Sequence, residues 1–171
     1  CAKRVHHEYI GGYLHHIYSM LIQATVKKAI YPSINEDLLF GGIILHDIGK
    51  IKEIKVNKYG VYEDYTEKGG LLGHPYLGAE MINDASKELG LDNSEEVDLL
   101  KHICLTHHGK EEWGAFMKPL FLEAEITSLL DMMDANSNQM NKVVDTIENR
   151  EFTSSQYFLE NRRIYKHSLS K

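Results

Sequence analysis

The chain has 171 residues, 43% of them hydrophobic and 26% charged, with a formal charge of −6. These totals fit one soluble globular domain, exclude a disordered chain and argue against nucleic-acid binding over the whole surface, although bound cations or a basic patch would reverse the potential locally. Residues 38–45 form the longest apolar stretch, too short to span a bilayer, and no signal-peptide pattern opens the chain. The only cysteines are Cys1 and Cys104, so a disulfide framework and a cysteine zinc site are both excluded and a cytoplasmic setting is expected. The Cys1 start, in place of Met, reads as a piece of a longer protein.

Ile10, Leu14, Ile17 and Leu21 recur at helical spacing and predict a first helix from about Glu8 towards Ala29, ended by Tyr31-Pro32-Ser33. A second helix starts near Asn35 or Glu36 and is expected to stop at Gly49. Residues 51–72 break the helical period; Lys58-Tyr59-Gly60 between β-prone stretches predicts a loop with a small hairpin, a candidate lid. His74-Pro75 opens the next helix, which ends at Gly90, and Asn93 with Glu96 has capping-box spacing for the one that ends at His107-His108-Gly109. From about Pro119 to Glu148 runs the longest helix, with Leu122, Ile126, Leu129, Met133, Met140 and Ile147 on one stripe and Ala124, Thr127, Ser128, Asp131, Ala135 and Asn138 on the reverse. The tail is basic near Arg162, Arg163 and Lys166.

Ten histidines are the oddity of the composition. His46-Asp47 ends an apolar run, although neither group is usually buried unpaired. Adjacent helical residues point about 100° apart, so this pair shares one site only at a helix end. His16, His46, Asp47, His74, His107, His108 and Asp131 all fall at or near predicted helix ends, against apolar stretches. Imidazole with carboxylate suits Mn, Fe, Co, Ni or Zn, and so many donors exceed one tetrahedral zinc; two metals sharing a bridging carboxylate would use them. The bland alternative is a set of helix-terminal charge partners or hydrogen-bonded core residues, the class to which His15 and His167 are assigned. Asp134 is open between a cap and a salt bridge. Lys50, a solvated lysine by default, becomes a phosphate contact beside a metal site.

The segments "HHEYIGGYLHHIYSM", "LLFGGIILHDIGKIKE", "LLGHPYLGAEMI", "HICLTHHGKEEWG" and "EFTSSQYFLENRRIYK" follow one another from His6 to Lys166. Spread in order across nearly the whole chain rather than filling it, these segments resemble the HD-domain metal-dependent phosphohydrolases, and most closely the HD domain of the YhaM family of 3′ to 5′ exoribonucleases. That resemblance implies an all-α HD helical bundle as a single domain over 1–171, preceded in the full protein by an OB-type nucleic-acid-binding domain. It places His16, His46, Asp47 and Asp131 on a first metal and His74 and His107 on a second, with Asp47 bridging; His108 serves the second metal or the phosphate. Asp131-Met132-Met133-Asp134 stands where the family commonly has an Asp-Asn-Leu-Asp-like run, and both acids are kept.

The expected reaction is hydrolysis at the 3′ end of single-stranded RNA with two divalent ions, manganese first and Co, Fe, Ni or Zn as alternatives; the catalytic candidates are Asp47, holding both ions, and Lys50 and His108, at the phosphate oxygens. Trp113 and Tyr76 are candidate base-stacking groups, and Arg162 and Arg163 candidate RNA contacts. His6 and His7 carry no assigned role, and the oligomeric state is left open. The rivals are an HD nucleotide phosphohydrolase and a non-catalytic regulatory domain holding structural metal; a cyclic-dinucleotide enzyme is disfavoured because no Gly-Tyr-Pro follows His107-His108-Gly109.

Overall fold

The computed structural model describes residues 10–169, so Cys1, the His6-His7 pair and the expected helix start at Glu8 lie outside the described residues. Gly11, at φ +80°, turns the chain into α1 (Gly12–Ile30), which ends before Pro32 as predicted. Asn35 opens α2 (Glu36–Leu45), its side chain accepting from the Leu38 amide. A turn carrying His46 and Asp47 leads into the short α3 (Lys50–Glu53). The predicted hairpin follows as β1 (Ile54–Val56) antiparallel to β2 (Tyr62–Tyr65), with Ile54 opposite Tyr65. Three longer helices, α4 (Glu67–Glu88), α5 (Glu95–Thr106) and α6 (Leu122–Val144), complete an all-α bundle. The tail folds back as an irregular hairpin in which Phe152 bridges Tyr165 and Gln156 bridges Arg162.

Several boundaries differ from expectation. Helix α4 begins at Glu67, where the Thr66 hydroxyl accepts from the Gly69 amide, and breaks at Gly73 (φ 72°, ψ 156°). His74-Pro75 therefore opens its second stretch, with proline tolerated in a first turn. The cap of α5 is Ser94 rather than Asn93; its hydroxyl accepts from the Val97 amide. Gly49 does not end α2 in the left-handed region: it sits at φ −60° and begins α3. Its missing side chain matters for a different reason, since a Cβ there would fall 2.0 Å from the His74 carbonyl oxygen and 2.5 Å from the Gly78 nitrogen. Glycine lets the turn after Asp47 press directly against α4.

Two apolar clusters hold the bundle. Met20 and Ala24 of α1 pack with Ile34, with Leu39 and Ile43 of α2 and with Ile126 and Leu130 of α6. Ala79 and Ile82 of α4 pack with Val97 and Cys104 of α5, and Leu45 of α2 rests on that second group. Helix α2 thus touches both clusters.

The faces that α1 and α6 bury are only partly the ones their apolar spacing predicts: Ile17, Leu21 and Ile126 pack inward, but other members of the stripes do not. Ile10 and Leu14 are 73% and 70% exposed, while His16, Met20 and Ala24 form the buried line. On α6 the large Leu122, Leu129 and Met133 remain exposed, and Ala124, Thr127 and Ser128 of the reverse face go inside. Small residues on the inner face let the backbones approach, and the Thr127 hydroxyl donates to the Glu123 carbonyl, so its burial leaves no orphan group.

Gly49→Ala is expected to destabilise the protein by about 1–3 kcal/mol or more, because backbone rather than a flexible side chain blocks the new methyl. Gly70→Ala, where a Cβ meets nothing within 4 Å of its helical position, should instead stabilise by about 0.5–1 kcal/mol. Urea unfolding of the two variants checks both signs.

Candidate metal centre

Five helices and the turns beside them each deliver part of one polar cluster. Helix α1 supplies His16, the turn after α2 supplies His46 and Asp47, the break in α4 supplies His74, the end of α5 supplies His107 and His108, and α6 supplies Asp131 and Asp134. All seven metal candidates meet there, and Lys50 joins them by donating to Asp47 Oδ2. His16, His46, Asp47 and His107 are almost completely buried. Two triplets stand out: His16, His46 and Asp47, and His74, His107 and His108, each with its donor atoms within 4.8 Å of one another.

The outer ring nitrogens are tied down. His46 Nδ1 donates to the Ile43 carbonyl and His107 Nδ1 to the Cys104 carbonyl, both at 2.7 Å. A carbonyl oxygen only accepts, so both protons sit on Nδ1. His74 Nδ1 faces both oxygens of Glu53, at 3.0 and 3.1 Å, and His16 Nδ1 donates to Asp134 Oδ2 at 2.7 Å. Four Nε2 atoms are therefore turned inward. His16 Nε2 lies 3.4 Å from His46 Nε2 and 3.2 Å from Asp131 Oδ1; His74 Nε2 lies 3.2 Å from His108 Nε2 and 3.2 Å from Asp47 Oδ1.

Asp47 stands between the triplets. Its Oδ2 is 3.6 Å from His46 Nε2, and its Oδ1 is 3.5 Å from His107 Nε2. Buried Oδ1 accepts no hydrogen bond, and buried His107 Nε2 makes none. Lone pairs aimed at one another around a buried carboxylate oxygen are costly without positive charge among them. Carboxylate and imidazole donors of this kind fit divalent cations.

Electrostatics sharpen the picture. Burial pushes the His46 pKa down to about 4, and burial with neighbouring His107 and His74 pushes His108 down to about 3, so both rings are neutral donors near pH 7. Burial also lowers His16, but the Asp131 and Asp134 carboxylates outweigh it and hold that imidazole up at about 9. Burial would raise Asp47, yet Lys50 and His46 keep it ionised well below the usual carboxylate range. A cation entering beside His16 must displace a proton.

Sequence reasoning missed Glu53. It is a buried acid that accepts from both the His74 amide and His74 Nδ1, and nothing in its surroundings, Lys52 and Ile54, marks it. Asp134, left open above, braces His16 and is itself held by the Ser19 hydroxyl. Cys104 is buried and free. His15 and His167 lie exposed outside the cluster. Trp113 and Arg162 line a cavity that opens on His107, His108 and Asp131; Tyr76 and Arg163 do not. Arg163 instead braces the tail hairpin, donating from Nε to the Thr153 carbonyl with its guanidinium over the Phe152 ring.

These shifts give a stability profile for the metal-free protein. The raised His16 stabilises the fold fully below its ordinary pKa of 6.5 and loses that contribution as pH rises through about 9. The lowered His46 contributes fully above 6.5 and loses its contribution as pH falls through about 4. Urea midpoints followed with pH should peak between the two limbs, and Asp134→Asn should flatten the alkaline limb selectively.

The HD domain family matches residues 9–136 of this chain. Among curated proteins, the chain is 41% identical over 170 residues to 3'-5' exoribonuclease YhaM of Bacillus subtilis (strain 168), covering 99% of this chain and 53% of that protein. It is 43% identical over 164 residues to 3'-5' exoribonuclease YhaM of Listeria monocytogenes serotype 4b (strain F2365), covering 96% of this chain and 51% of that one. The chain thus spans about half the length of the curated relatives it matches. No solved structure gives a significant match. With five histidines and two aspartates converging from five helical segments, and a family match over most of its length, the chain belongs to the HD domain family.

Proposed function

We propose that this domain removes nucleotides from the 3′ end of single-stranded RNA by metal-dependent hydrolysis, releasing nucleoside 5′-monophosphates. The observation that carries the proposal is Asp47, a buried, ionised carboxylate whose Oδ1 accepts no hydrogen bond between two groups of inward-facing imidazoles. The names of the curated relatives favour RNA over other phosphodiesters. An OB-type domain preceding this one would add grip on the RNA, and the buried, unpaired Cys104 suits a reducing cytoplasm.

His16, His46, Asp47 and Asp131 would hold one divalent cation, and His74, His107 and His108, with Asp47, the other; manganese is the favoured ion. When bound, the cations supply Lewis acidity, neutralising charge on phosphoryl oxygens and lowering the pKa of water. Glu53 and Asp134 orient His74 and His16, fixing which nitrogen faces inward. Lys50 holds its ammonium beside Asp47 Oδ2, where it can shift to a non-bridging phosphate oxygen as negative charge builds. His108 Nδ1 is buried without a hydrogen-bond partner, so no carbonyl fixes that ring as one fixes His46 and His107.

An oligoribonucleotide with a free 3′ end should be shortened stepwise to 5′-monophosphates in manganese and left intact in chelator. Phosphate release from mononucleotides alone would replace this reading with a nucleotidase. His46→Ala and Asp47→Ala should lose both bound manganese and turnover. Lys50→Met should keep the metal and lower kcat by roughly 10²–10³-fold, the usual loss for one donor to a developing oxyanion; product analysis on gels and metal analysis by atomic absorption separate these outcomes.

A further inference from the structure

A cavity of about 480 Å³ opens beside the cluster, between α6 and the tail hairpin. Its size falls within the roughly 300–1,000 Å³ typical of small-molecule sites. His107, His108 and Asp131 form one end, where a scissile phosphate would lie. The other end belongs to residues past the family match, which stops at 136: Gln139 on α6, and Tyr157, Phe158 and Arg162 on the hairpin. At the hairpin tip Glu160 and Asn161 both lie in the left-handed region, at φ 55° and 59°.

We infer that this cavity receives the terminal nucleoside of the RNA, and that Gln139 recognises it through a hydrogen bond. The inference rests on the exoribonuclease reading and extends it from the phosphate to the base and sugar.

Three observations carry it. Gln139 is 97% buried by its 3% exposure, yet its side-chain oxygen accepts no hydrogen bond. Buried acceptors are seldom left without a donor, and a nucleoside offers hydroxyl and amino donors that inorganic phosphate cannot place there. Around the same cavity stand Trp113, Tyr157 and Phe158, and Tyr157 is 87% exposed, far more than a packing role would leave it. Aromatic faces hold bases of any identity, as an enzyme that degrades successive nucleotides requires. Arg162 adds a guanidinium at the cavity, 45% exposed, with Nε donating to the Leu159 carbonyl at 2.9 Å and Nη2 3.8 Å from Glu160. It is placed to meet the phosphate upstream of the terminal nucleotide.

The test compares binding of adenosine 5′-monophosphate with that of inorganic phosphate, each titrated by calorimetry into the manganese-loaded protein. The wild type should bind the nucleotide at least tenfold more tightly than phosphate. Tyr157→Ala and Gln139→Leu should each collapse that ratio to within about threefold, while Tyr76→Ala, on α4 away from the cavity, should leave it intact. Tyr157 is the safer variant because its exposed ring contributes little to folding, and circular dichroism verifies both proteins. Retention of the wild-type ratio in both cavity variants, or equal affinity for nucleotide and phosphate in the wild type, would overturn the inference. RNA shortening is scored in parallel. Shortening with an unaltered ratio removes the pocket assignment and leaves the reaction standing; a collapsed ratio without shortening keeps the nucleoside site and removes the exoribonuclease.

Discussion

The structure turns on the burial of one charge. Asp47 is 1% exposed and ionised, and a carboxylate in that position is tolerated only when positive or hydrogen-bonding groups surround it. Lys50 serves Oδ2 from one turn further along the chain. Oδ1 is left to the imidazoles of α4 and α5, which arrive with lone pairs as well as protons. That mismatch is the physical signature of a site built for cations.

Holding such a site together requires a rigid surround. The protein places the outer nitrogen of each of four imidazoles against a fixed acceptor: carbonyls of α2 and α5 for His46 and His107, and carboxylates for His16 and His74. Backbone carbonyls one turn earlier are always available at a helix end, so His46 and His107 acquire their orientation locally. His16 and His74 need acids brought from elsewhere, and those acids couple the site to the fold. Gly49 extends the coupling to the backbone, since its bare Cα lets the Asp47 turn reach the chain at His74.

The same demand explains why α1 and α6 turn away from their hydrophobic stripes. Apolar periodicity alone would bury Ile10 and Leu14, and Leu129 and Met133. Burying those faces would carry His16, Asp131 and Asp134 into solvent. Met20, Ala24 and Leu130, with Ile126 from the predicted stripe, supply enough apolar contact for the polar cluster to decide the orientation. The outcome leaves Leu14, Leu122, Leu129 and Met133 outside, while Met20, Ile126 and Leu130 lie within beside small residues.

Sequence by itself determined the helical class, the places of the hairpin and of most helix ends, and the roster His16, His46-Asp47, His74, His107-His108 and Asp131. These rest on short-range features: periodicity, proline and glycine punctuation, and histidines at helix ends. The full set of family segments then pointed to the chemistry. Tertiary structure alone decided which faces of α1 and α6 are buried, that Glu53 rather than solvent meets His74, and that Asp134 meets His16 across 118 residues of chain. It also separated Arg162, at the cavity, from Arg163, committed to the hairpin. Each of these outcomes depends on contacts between elements distant in sequence, where local propensity is silent and the energy of placing a charge or a lone pair chooses the partner.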